Sequence, residues 1–284
     1  MQMMKLGFVF ILMGFALNLS LSKPAQAEWD ILPDSRHQQF DLFGRFFDEQ
    51  TMLINYGSAR LWASMGGTVP VYGNNELPSH PQITFHASAN AALHYDSNFR
   101  FYTETIDARF GGDLEFAINP HWRASVGITH NSGHAADGIA AEDLSAPIFS
   151  QPLGQEFVPI KTVYDLDKSF RFAFAFKPFI RSFPALQWAA FDESIEWFPF
   201  GAKDDPHSGS PFIAIDLDQY GPYSYLTTIN VQAGVYFGNH FSEKFNQTMR
   251  IVAGYYSGAD PRLKYFQFLN NTQLFYYFGA MFNL

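Results

Sequence analysis

A histidine and a serine two positions apart, His130 and Ser132, form the smallest constellation in this sequence that could do nucleophilic chemistry. A general base beside a hydroxyl is the minimum unit for activating an oxygen nucleophile, and on an extended strand residues i and i+2 project to the same side. A third, orienting carboxylate would complete it, and Glu104 is the nearest candidate in phase with the same face of the preceding segment. The same stretch offers metal ligands as a second reading, since His130 and His134 have the i, i+4 spacing that a helix brings together, with Asp137 nearby. Gly133 and Gly138 argue against a helix there, so a transition-metal centre is not expected. Bound calcium in a loop stays open, and no cofactor is identified. Four charged residues, Arg109, Asp113, Glu115 and Arg123, fall on the opposite, polar face of two neighbouring segments. A soluble core would tolerate them only if well paired, whereas a barrel would place them along its lumen.

What positions these residues follows from composition and pattern. The chain has 284 residues, is 47% hydrophobic and 18% aromatic, contains no cysteine and carries a formal net charge of -9. Without cysteine there is no disulfide scaffold, thiol nucleophile or thiolate-ligated metal. The acidic balance argues against a nucleic-acid partner, which would need a basic face to meet phosphates. A mean hydropathy of -0.10 is too polar for a bundle of membrane helices, and 32 Phe, 14 Tyr and 5 Trp are far too many for a disordered chain.

Lys5, the apolar run from Leu6 to Leu21 and the small-x-small site Ala25-Gln26-Ala27 read as a secretory signal peptide over residues 1–27. The mature chain, 28–284, then begins at Glu28 and is expected to be one domain, without a membrane-spanning helix or internal repeat. Its dominant signal is alternation. Phe170, Phe172, Phe174 and Phe176 share one face against Arg171 and Lys177 on the other, which is the period of a strand. Ile83 to Tyr95 alternates in the same way, as do Thr228 to Phe237 and Thr248 to Tyr255, where Val252 is the one apolar residue on the polar face.

A soluble sandwich also alternates, but many of these segments are about 10 residues or longer, the length a tilted strand needs to cross a bilayer. Aromatics crowd segment ends, as at Trp197-Phe198 and Tyr255-Tyr256, and Leu274, Tyr276, Phe278, Ala280, Phe282 and Leu284 share the last face. The expectation is an all-β, antiparallel transmembrane barrel in the outer membrane. Turn signals place strands near 38–47, 51–65, 81–94, 99–118, 121–132, 156–166, 169–179, 185–198, 210–219, 224–237, 246–257 and 266–283, about twelve. Asn119-Pro120 and Asp167-Lys168 would be short periplasmic turns, and Asn131 to Gln155 a long extracellular loop.

Thr105 to Gly111, His130 to His134 with Asp137, Ile213 to Leu217, and Tyr255 to Gly258 together resemble an uncharacterised, domain-of-unknown-function family of Gram-negative outer-membrane barrels. That resemblance implies location and fold and no activity. The final strand is similar to the terminal assembly signal of such proteins, which implies the barrel assembly machinery as a partner, with outer-membrane lipids around the wall. The His-x-Ser pattern is similar to that of outer-membrane phospholipase A and the lipid A deacylases, although Ser132 is followed here by Gly133-His134 where the phospholipase has Asn-Gly. Two functions follow as expectations. One is an acyl hydrolase of outer-leaflet lipids using Ser132, His130 and Glu104. The other is a narrow channel or structural barrel whose lumen is lined by Arg109, Asp113, Glu115 and Arg123.

Overall fold

The structure is a computed structural model that describes residues 30–31, 51–56, 59–74, 79–138, 153–183, 185–203, 205, 207–221, 225–238, 248–263 and 272–283. The expected signal peptide and the strand expected near 38–47 lie outside these residues. The regular elements are β1 (Asp30–Ile31), β2 (Thr51–Tyr56), β3 (Arg60–Gly73), β4 (Gln82–Tyr95), β5 (Phe101–Asn119), β6 (Trp122–Ala135), β7 (Leu153–Phe157), β8 (Ile160–Asp165), β9 (Phe170–Phe183), β10 (Ala189–Trp197), β11 (Ser210–Tyr220), β12 (Leu226–Phe237), β13 (Thr248–Ala259) and β14 (Thr272–Asn283). Each pairs antiparallel with its neighbours, and β14 pairs back onto β2 through Tyr277↔Tyr56 to Phe282↔Thr51, which closes the ring. β7 and β8 both pair with β6 and β9 and so make one stave, while β1 extends the position of the short β2 beside Tyr72 and Gly73. The fourteen strands therefore form a twelve-stave barrel. The stave breaks at Pro159, which has no N–H for the ladder, and Val158 N bonds Pro178 O at 3.0 Å to carry the chain across.

Thr51 and Asn283 lie at one end of the barrel, called here the near end, and the turns from β4 to β5 and from β6 to β7 lie at the far end. Aspartate and asparagine side chains hold the tight turns by accepting backbone N–H bonds. Asn119 Oδ1 takes His121 N at 2.9 Å, and Asp167 Oδ1 takes Ser169 N at 2.6 Å and Phe170 N at 3.1 Å, so both expected short turns are at the near end. In the far-end turn after β4, Asp96 Oδ1 accepts Arg100 N at 3.1 Å and Asn98 N at 2.8 Å, and these bonds hold its carboxyl below the usual carboxylate range.

The wall is built inside out relative to a soluble protein. In β4 the side chains of Gln82, Thr84, His86, Ser88 and Asn90 are buried in the lumen, while Ile83 and Phe85 lie on the outer surface. In β14 Tyr276 is 72% exposed and Phe278 65%, with Phe275 and Tyr277 buried between them. A continuous apolar outer band is what hydrocarbon requires, and closure through β2 and β14 joins the two ends of the sheet. Across the lumen the interior divides in two. From β11 through β14 to β3 an aromatic and aliphatic cluster of Trp62, Phe212, Tyr236, Val252, Phe275, Tyr277 and Met281 is buried beside Asp216, Gln232 and Arg250. Val252 breaks the polar alternation of β13 because it faces this cluster. From β4 to β10 the lumen is ionic.

Three boundaries differ from the sequence reading. The segment 51–65, read as one strand, is the antiparallel pair β2 and β3, whose register brings Tyr56 opposite Arg60, and Ala59 just before β3 takes a left-handed φ of 57°. Alternation continues across that division, so the pattern alone does not reveal it. Residues 66–73, which fall between the strands expected near 51–65 and 81–94, continue β3. Gly66 there is required by close approach rather than by a turn, since a Cβ on it would stand 2.5 Å from Ser88 Cβ. The loop expected over Asn131 to Gln155 is shorter, because β6 runs on to Ala135 and β7 starts at Leu153.

Candidate functional site

The lumen-facing charges are held in discrete sets. Toward the near end Arg171 is fully buried; its Nε donates to Asp165 Oδ1 at 2.6 Å, Nη2 to Asp165 Oδ2 at 3.5 Å, and Nη1 lies 4.0 Å from Glu196 Oε2. Arg123 pairs with the same Asp165. At mid-height Asp113 lies between Lys161 Nζ at 3.0 Å and His86 Nδ1 at 3.3 Å, and His86 Nε2 meets Thr129 Oγ1 at 3.2 Å. Glu115 accepts from Gln82 Nε2 at 2.8 Å and Thr84 Oγ1 at 3.0 Å. Two glycines make this crossing possible: a Cβ at Gly127 would overlap Asp113 Oδ1, and one at Gly111 would stand 2.5 Å from His86 Nε2. All four residues expected to line the lumen, Arg109, Asp113, Glu115 and Arg123, face it. Most of their partners, including Asp165 and Lys161, come from distant strands that sequence spacing does not connect.

Both ends of the lumen are narrowed by loops that fold inward. At the near end Phe198 is fully buried, 6.3 Å between ring centroids from both Phe212 and Tyr236, and Ala202 N bonds Lys168 O at 2.8 Å. At the far end the segment after β13 turns in. Arg262 donates Nη1 to Glu104 Oε2 at 2.7 Å and Nη2 to Asp260 Oδ2 at 2.6 Å, and Leu263 N donates to Asp107 Oδ2 at 3.2 Å. Beside this plug lies a cavity of about 60 Å³, lined by Asn90, Asp107, Arg109, Asn131, Lys177 and Asp218 among others. The Arg109 guanidinium sits 5.9 Å from the centre of the Phe157 ring, and Lys177 pairs with Asp192.

On the outer face, β6 carries Ile128, His130, Ser132 and His134 in one row, because inward Thr129 and Gly133 alternate with them. His130 stands opposite Glu156 of β7, with Nδ1 3.4 Å from Oε1, and its ring lies 4.9 Å from that of Phe110. Arg181 of β9 stands opposite Glu156 in turn. Glu104 is not part of this row. A bulge between Ala92 and Leu93 of the neighbouring strand shifts the register at Glu104, which is buried against Arg262, with His94 Nδ1 at 3.4 Å. Its backbone bonds to Ala136, six positions along β6 from His130, roughly 20 Å away. The carboxylate beside His130 is therefore Glu156, which the sequence reading missed because a long loop separates it from His130; alternation of Leu153 to Phe157 was its only signal. His130 and His134 are both in strand β6, where four positions span roughly 13 Å, so the helical spacing does not bring them together. Among the described residues no group of three or more His, Asp or Glu side chains is placed to hold a metal ion.

A family model described as a protein of unknown function, DUF1207, matches residues 30–284, and the chain belongs to that family. No curated protein matches the sequence. Among solved structures, a KdgM porin aligns at 9% identity with a TM-score of 0.48, covering 83% of this chain and 99% of that one. A KdgM porin in complex with disordered oligogalacturonate aligns at 9% identity with a TM-score of 0.42, covering 82% and 99%.

The Arg171 cluster yields a stability prediction. Arg171→Ala leaves Asp165 and Glu196 buried with one cation fewer, and breaking a buried pair in this way costs about 3–5 kcal/mol. Urea unfolding in lipid vesicles should show a loss of that size. A loss below about 1 kcal/mol would mean that Arg123 alone satisfies the carboxylates.

Proposed function

We propose that this DUF1207 barrel lies in the outer membrane, with its near end toward the periplasm, and works as a narrow channel for small hydrophilic solutes. The observation that carries this reading is the lumen itself: a charged, amide-rich cavity in the far half, bounded among the described residues by side-chain and loop contacts. A purely structural barrel would need no such cavity. Placement of the far end outside the cell rests on the longest connection between successive staves, 136–152, which joins β6 to β7 there. The apolar outer row of β14 suits recognition by the assembly machinery, and the outer band suits lipid.

Channel activity is read in planar bilayers. The wild-type protein should give small conductance steps, and Glu104→Ala combined with Arg262→Ala, which frees the far-end plug, should enlarge them several-fold. Absence of steps from both proteins leaves a structural barrel.

One specific observation favours a second reading, an acyl hydrolase at the lipid-facing rim. Glu156 beside His130 Nδ1 can hold the imidazole so that its other nitrogen addresses Ser132 in the same row. In this reading Ser132 attacks the ester carbonyl, His130 takes its proton and returns it to the leaving alcohol, and Glu156, in place of Glu104, stabilises the imidazolium. Water then releases the fatty acid from the acyl-serine. Incubation with phospholipid or lipid A should release fatty acid, abolished by Ser132→Ala and by His130→Ala, cut at least about 100-fold by Glu156→Ala and unchanged by Glu104→Ala. Release that survives Ser132→Ala, or none with or without calcium, removes this reading.

A further inference from the structure

The far-half cavity presents acceptors in search of donors. Asn90 Oδ1, Asp107 Oδ1, Asn131 Oδ1 and Asp218 Oδ1 are each buried and have no hydrogen-bond partner among the described residues, and all four side chains line the same cavity. Asn90 is 3% exposed and Asp107 1%. They come from β4, β5, β6 and β11, so they converge from both sides of the lumen. Buried acceptors left unmet are costly, and in folded proteins they are met by solvent or by a ligand.

The local charge selects among ligands. Lys177 is engaged by Asp192, which stands opposite Asp218 in the β10–β11 register, so this wall carries two carboxylates and one cation. Across from it Asp107 and Arg109 face the cavity from β5. An anion would meet four acceptor oxygens and a negative excess. A group that brings both positive charge and several N–H donors satisfies the site, and Phe157, Phe179 and Tyr220 offer ring surface to its alkyl part and its charge. The volume limits its size: about 60 Å³ corresponds to roughly four to six waters.

We propose that this cavity is a binding site for a small primary ammonium compound, its N–H groups donating to Asp107, Asp218, Asn90 and Asn131. The site does not require the lumen to conduct, since a ligand held in the far half need not cross the barrel.

The test is equilibrium binding to the full mature barrel in detergent by titration calorimetry, with ethanolamine hydrochloride as probe. Tetramethylammonium chloride, which has charge but no N–H, potassium chloride and glycerol serve as comparisons. Ethanolamine should bind and the three comparisons should be at least about tenfold weaker, as expected when charge-assisted bonds are missing. Asp107→Asn and Asp218→Asn should each weaken ethanolamine at least about tenfold, and Asn131→Ala should weaken it less, with a melting temperature close to wild type for whichever variant is used. No ethanolamine binding by the wild type overturns the proposal. So does equal binding of glycerol, which would mark a hydroxyl site, equal binding of tetramethylammonium or potassium, which would mark a simple cation sink, or unchanged affinity in all folded variants. A barrel that binds ethanolamine yet shows no conductance loses the channel reading and keeps this site.

Discussion

Everything in this molecule depends on the closure of the sheet between β14 and β2. A strand placed in hydrocarbon must satisfy all its backbone groups within the wall, and only a ring gives every strand two partners. Once the ring exists, each side chain has two choices, lipid or lumen, which alternate wherever the ladder runs without a bulge. Ile83, Phe85, Phe110 and Tyr276 are outside for that reason, and Thr84, His86, Arg109 and Tyr277 are inside for the same one.

The lumen then has to accommodate its charges without bulk water on every side. It does so by pairing across strands: Arg171 and Arg123 share Asp165, Lys161 and His86 share Asp113, and Arg262 bridges Asp260 and Glu104. Gly111 and Gly127 are the backbone counterpart of this pairing, since side chains there would occupy the space that His86 and Asp113 need. The opposite side of the lumen carries an aromatic and aliphatic cluster beside Asp216, Gln232 and Arg250, and a cavity lies in the far half. The same alternation places His130 and Ser132 on the lipid side, where a solvated polar pair is unusual, and the strand register brings Glu156 to the imidazole.

The alternation was legible in the sequence because its period survives any register. β9 is read from Phe170 to Lys177 alone, and the turns at Asn119 and Asp167 follow from residues that bond their own backbone. Partners are a different kind of information. Glu104 is in phase with the outward row by counting, but a one-residue bulge in the ladder with β4 turns it inward, and no count along one strand registers a bulge. Arg262 reaches Glu104 over 158 residues of sequence, and Glu156 meets His130 only through the pairing of β6 with β7. The division of 51–65 into the antiparallel β2 and β3 was hidden because the apolar pattern runs through it, with Gly57 and Ser58 as the only marks in the sequence.

The central claim is that the wall is inside out, lipid on one parity and lumen on the other. A chain with no cysteine allows a clean measurement: single cysteines placed one at a time from Ile83 to Asn90 of β4, spin-labelled in lipid vesicles, and probed for collision with lipid-dissolved oxygen against an aqueous nickel chelate. The account requires a period of two, with oxygen access high at positions 83, 85, 87 and 89 and low at 84, 86, 88 and 90. A profile with no alternation, or with the opposite phase, would contradict it.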